Sequence, residues 1–126
     1  MTARKKQRVP RGKTVWLPPL PRYVYSALGD VPVEEIDATD VPDAHKDEVA
    51  WWLPRERGII VLNDGAPQAR WQAFVHEKVH MWLDDAAVEL PKNEKGENEL
   101  EERICNVIAS AIVSEMIAHA PTKPVT

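Results

Sequence analysis

Between Arg70 and Leu83 apolar side chains recur at a helical interval, with Trp71, Val75, Val79 and Trp82 at i, i+4, i+8 and i+11. Such a stripe seats one face of a helix on a core. The same run carries His76-Glu77-Lys78-Val79-His80, an H-E-x-x-H motif. On a helix, two imidazoles four residues apart stack on one face, close enough to share a metal ion, with Glu77 beside them. Neutral imidazole is a good zinc ligand, and a catalytic zinc site takes three protein ligands and leaves a position for water. A carboxylate next to the metal accepts that water's proton and passes it to a leaving amine. The pattern therefore predicts Zn2+ on His76 and His80, with Glu77 as general base. The plain alternative is a pair of core histidines satisfied by hydrogen bonds, with Glu77 solvated.

A third ligand is expected from a second helical run that begins near Glu99 and continues to about Ala118. Glu102 and Asn106 are four apart, so a metal-binding carboxylate and an amide able to hydrogen-bond the far nitrogen of His76 share one face. Glu101 competes with Glu102, because it shares a face with Cys105, Ile108 and Ile112. Both also fit an ordinary acidic first turn complementing the helix dipole. His45 and His119 read as surface histidines.

These motifs, taken with Leu28-Gly29-Asp30-Val31-Pro32-Val33-Glu34-Glu35-Ile36 and the two extended runs between Val49 and Asn63, resemble the ImmA/IrrE family of small gluzincin metallopeptidases. The likeness runs over roughly residues 20–117. It implies His76, His80 and Glu102 as zinc ligands and Glu77 as base. It further implies a cytoplasmic regulatory peptidase of phages or mobile elements, acting on a helix-turn-helix repressor. Lys78-Val79 stands where the family has Leu-Gly, and Cys105 and Ile108 replace Ala and Phe; none of these positions supplies a ligand atom.

With 126 residues, 44% of them hydrophobic, and five tryptophans, the chain can bury one compact core. Its single cysteine, Cys105, excludes an internal disulfide and a cysteine-rich zinc ribbon, and its apolar neighbours predict a buried thiol. The basic start is followed by proline-rich sequence instead of an apolar signal core, and no run is long enough to span a membrane. Cytoplasmic residence is expected. Residues 1–13 hold six basic side chains and no acid, whereas the remainder holds 10 basic and 20 acidic ones. That segment reads as a solvated, disordered leader, with nucleic acid as the second reading.

The expected fold is α+β: a minimal zincin-like domain in which a small, mostly antiparallel sheet packs on the active-site helix and the second metal-ligand helix. Residues 1–19 form a basic, proline-rich arm, 20–120 the domain and 121–126 a tail. Strands are expected at 31–36, 48–53 and 58–63, and a short helix from Pro21 to Leu28 stopped by Gly29. The polar loop 91–96 borders the cleft. Arg70, Tyr23, Tyr25 and His119 are candidates for the oxyanion donor that peptide hydrolysis needs, and an edge strand could hold an extended peptide. Three readings follow: a zinc endopeptidase acting on a protein or peptide; a metal-bound, non-proteolytic protein whose basic arm engages nucleic acid or a partner; and an interaction module without metal.

Overall fold

The computed structural model describes residues 14–123; the basic leader 1–13 lies outside them. In chain order the elements are β1 (Thr14–Val15), β2 (Tyr23–Val24), β3 (Val31–Ile36), two 3-10 turns (Ala38–Asp40 and Asp43–His45), β4 (Ala50–Leu53), β5 (Gly58–Leu62), α1 (Pro67–Asp85), α2 (Glu99–His119) and β6 (Thr122–Lys123). The domain is α+β.

β2 to β5 form one mixed sheet in the order β2-β3-β5-β4. β3 and β5 run parallel, with Val33 opposite Ile59, while β2 pairs β3 and β4 pairs β5 antiparallel. Two of the three pairings are thus antiparallel. Alternation along the strands turns Val31, Ile59 and Val61, all 1% exposed or less, toward the helices. Phe74, Val75, Val79 and Met81 of α1 and Cys105, Ala109 and Val113 of α2 complete that core. The core face of α1 is wider than the expected stripe: Val75 and Val79 are buried, but Phe74 and Met81 lie deeper than Trp71, and Trp82 is exposed. Small side chains at Cys105 and Ala109 let α2 lie close against α1.

α1 starts where its sequence permits. Gly65 adopts φ +96° to turn the chain, Ala66 is extended, and Pro67 takes the first helical position, where it forfeits no hydrogen bond. Its last turn carries Asp84 and Asp85, a poor match to the helix dipole. Both carboxylates are bound across the fold: Asp84 accepts from the Trp52 indole at 2.7 Å, and Asp85 forms a two-pronged pair with Arg57 and accepts from the Ser26 hydroxyl.

The expected helix between Pro21 and Leu28 does not form. Val24 is buried while Tyr23 and Tyr25 face solvent, an alternation of period two, and Tyr23-Val24 pairs with Val31-Pro32 as β2. The following turn closes with Gly29 N–H on the Ser26 carbonyl, Gly29 at φ +118°. The arm is not separate from the tail: β1 pairs antiparallel with β6, and the Trp71 indole donates to the Pro18 carbonyl at 2.7 Å. On the sheet face away from the helices, the His45 ring stacks on buried Trp51 at 4.3 Å, so His45 covers the sheet. No helix among the described residues is long and apolar enough to cross a membrane.

Candidate metal centre

His76, Glu77 and His80 occupy successive positions on the face of α1 turned toward β4 and α2, and the first turn of α2 comes down opposite them. His76 Nε2 lies 2.9 Å from Glu102 Oε1, His80 Nε2 lies 2.9 Å from Glu102 Oε2, and the two Nε2 atoms are 3.1 Å apart. Three side chains thus bring four potential ligand atoms, two imidazole nitrogens and two carboxylate oxygens, into a small cluster, the triangle of side chains. In a tetrahedral shell with bonds of about 2.0–2.1 Å, neighbouring ligand atoms sit about 3.3 Å apart, so little adjustment would bring all three onto one ion. The donor set of two imidazoles and a carboxylate suits a borderline transition metal better than magnesium or calcium.

Hydrogen-bond accounting points the same way. His80 Nδ1 lies 2.6 Å from Glu101 Oε2. A carboxylate only accepts, so His80 carries a proton on Nδ1 and its Nε2 lone pair is turned to the triangle. That lone pair would face the Glu102 carboxylate and the His76 nitrogen, a cluster of acceptors that a single cation would fit. One metal ion satisfies all three; protons on both imidazoles would set two N–H groups against each other at 3.1 Å.

Glu101 therefore does not compete with Glu102 for the triangle. It orients His80, the role that sequence reasoning gave to an amide behind His76. Asn106 makes no hydrogen bond to His76 among the described residues; it is exposed, one turn beyond Glu102, in the wall of an open cleft with Glu97, Glu99 and Arg103. The two imidazoles are 14% exposed, Glu102 is 53% exposed, and the triangle opens to solvent on the Glu102 side.

Glu77 lies beside the triangle, its Oε2 3.9 Å from His76 Nε2. Burial pushes its carboxyl up to about 7; the nearby carboxylates of Glu102 and Glu48 add to this, while His80 and the Trp52 N–H oppose it. The Trp52 contact follows from register. Leu62 N–H bonds the Val49 carbonyl, so alternate residues of β4 pair with β5 while Ala50 and Trp52 turn their backbone groups to the free edge. The outward N–H of Trp52 lies on the side of Glu77 and favours its charged form.

Cys105 lies beneath the pair of histidines. Its Sγ and nitrogens of His76 and His80 all fall within 4.8 Å of one another, a group that could hold a metal ion. The thiol is fully buried and is pushed up to about 12, chiefly by burial and then by the charges of Glu102, Glu101 and Glu77. At neutral pH it is a neutral thiol, and its distance is looser than the Glu102 contacts. The sequence signal for it was its position on one face with Glu101.

The oxyanion candidates are not gathered here. Arg70 pairs with Glu35 on β3, Tyr23 is on or next to the opposite sheet edge with Tyr25, and His119 closes the far end of α2. Comparison with known families, curated proteins and solved structures gives no match. The site stands on its own geometry.

Proposed function

We propose that the protein is a zinc-dependent endopeptidase of the small gluzincin type, with His76, His80 and Glu102 on the metal and Glu77 as general base. The observation that carries this reading is the convergence of His76, His80 and Glu102, each imidazole Nε2 2.9 Å from one Glu102 oxygen and the two nitrogens 3.1 Å apart, with Glu77 beside them. Zinc, when bound, supplies a water acidic enough to ionise near neutral pH and polarises the scissile carbonyl. The chain's own residues supply the rest. Glu77, its Oε2 3.9 Å from His76 Nε2, is placed to take the water's proton and to release it to the leaving amine. Glu101, 2.6 Å from His80 Nδ1, favours the His80 tautomer that ligates through Nε2. The outward backbone groups of Ala50 on β4 are available to pair with an extended peptide. A helix-turn-helix repressor as substrate, a mobile-element origin and a cytoplasmic location rest on the family resemblance alone.

The test has two parts. Protein purified without added metal is expected to carry about one zinc per chain, and Glu77→Gln is expected to keep it while losing cleavage of unstructured peptides. Absence of bound metal, or undiminished cleavage by Glu77→Gln, would refute the proposal. One observation favours a second reading, a closed and non-proteolytic metal site: the Cys105 thiol under the histidines. In the cobalt-substituted protein a sulfur-to-metal charge-transfer band that vanishes in Cys105→Ser would select it; the peptidase reading expects no such band.

A further inference from the structure

We propose that the outward face of α2 is a self-complementary seam on which two copies of this chain pair as a reversible antiparallel dimer. Cys105, Ala109 and Val113 hold α2 to the core. On the opposite side of the helix Leu100, Ile104, Val107, Ala111, Ser114 and Ala118 recur at intervals of 4, 3, 4, 3 and 4 residues, the heptad spacing of a seam between two helices. Ile104 is half-buried and the other five are exposed. Val107 is 62% exposed, and Ile108 and Ile112 beside the seam are 36% exposed. From Ile104 to Ser114, about three turns, the helix carries no charged side chain on any face. A helix on the surface of a lone domain turns charged and polar groups to water; one apolar all round is covered on both sides.

The order of sizes along the seam selects a second copy. Its N-terminal half is large, Leu100, Ile104 and Val107, and its C-terminal half is small, Ala111, Ser114 and Ala118, mirrored about Ala109. In an antiparallel pair Leu100 meets Ala118 of the other copy, Ile104 meets Ser114, and Val107 meets Ala111. Every layer then holds one large and one small side chain, so the helices interdigitate along the whole length, and each contact occurs twice, as two-fold symmetry requires. A parallel pair would stack large on large at one end and leave voids at the other. The strip from Leu100 to Ala118 is about 27 Å long and about 10–12 Å wide, on the order of 300 Å2 on each copy. Stable complexes take about 800 Å2 per partner, so the dimer is weak and forms at high protein concentration. Glu102 lies on the core side of α2 with Cys105 and Ala109, and pairing therefore leaves the metal centre open.

The test is sedimentation equilibrium of the full chain, with and without zinc. The weight-average mass is expected to rise from 14.3 kDa toward twice that value between about 10 μM and about 1 mM protein. Val107→Arg sets a charge against the other copy at an exposed position and should raise the dissociation constant by about tenfold or more. Ala111→Arg, also exposed, carries the same expectation if Val107→Arg fails to fold. Orientation is read by oxidative cross-linking: a mixture of Val107→Cys and Ala111→Cys proteins should form the mixed disulfide faster than either variant links to itself, and Cys105, fully buried, does not compete. A chain monomeric up to about 1 mM, or a dimer that both arginine variants leave unchanged, would overturn the seam. Faster self-linking of Val107→Cys would overturn the antiparallel pairing.

Discussion

Removing the charge of Glu77 should abolish activity and at the same time stabilise the metal-free protein. Its carboxyl rises from 4.5 to about 7 on folding, mainly because burial penalises the charged form. Between those two pH values the folded chain retains a proton that the unfolded chain gives up. Stability therefore falls as pH rises through this window. At 1.36 kcal/mol for each tenfold change, the total is about 3 kcal/mol. Glutamine has a similar shape and no charge to desolvate. Urea denaturation of EDTA-treated protein should show Glu77→Gln more stable than wild type at pH 8, by up to about 3 kcal/mol, and nearly equal at pH 4. Bound zinc attracts the carboxylate and should shrink the gap. Equal stabilities at pH 8, or a less stable variant, would refute the account of Glu77 as a carboxylate held against its preference.

The two glutamates of α2 should separate by metal affinity. Glu101→Gln weakens the orientation of His80 and is expected to cost about 10–100-fold in zinc affinity, while Glu102→Gln removes a ligand and should cost more; a chelator competition that inverts this order would exchange their roles. Cys105, fully buried and held neutral, should resist alkylation by iodoacetamide at pH 8 until the protein unfolds. Asp85 is held below its ordinary value of 3.8 by Arg57 and then by the Ser26 hydroxyl. It therefore contributes stability above that pH that is lost as pH falls through its folded value, and Asp85→Asn should lower the melting temperature at pH 7, by an amount that shrinks as the pH is taken below 3.8.

What could be read from the sequence was what short-range periodicity encodes. α1 follows from the spacing of Trp71, Val75 and Val79, and the placement of His76, Glu77 and His80 follows from α1 itself. Glu102 was legible because the second run has its own helical period. The division of labour between Glu101 and Glu102 was not, since adjacent residues differ by about 100° around a helix and the approach of α2 to α1 decides which one faces the nitrogens. The partner of Asn106 failed for the same reason. β2, two residues long, is too short to show a period, and only its pairing with Val31 and Pro32 reveals it. The pairing of Thr14 with Lys123 and the stacking of His45 on Trp51 depend on tertiary closure that no local pattern records.

The unequal exposure of the three donors has a kinetic consequence. Two of them are fixed on one helix and sheltered, whereas the third sits at the exposed rim on a second helix. On the proposed ligand set, an incoming ion would meet the imidazoles as a ready-made tweezer and then be latched by the carboxylate. Release would run in reverse, through a rotamer change of Glu102 and not through unfolding. Loading and stripping should therefore be fast beside global denaturation, with Glu102 as the gate.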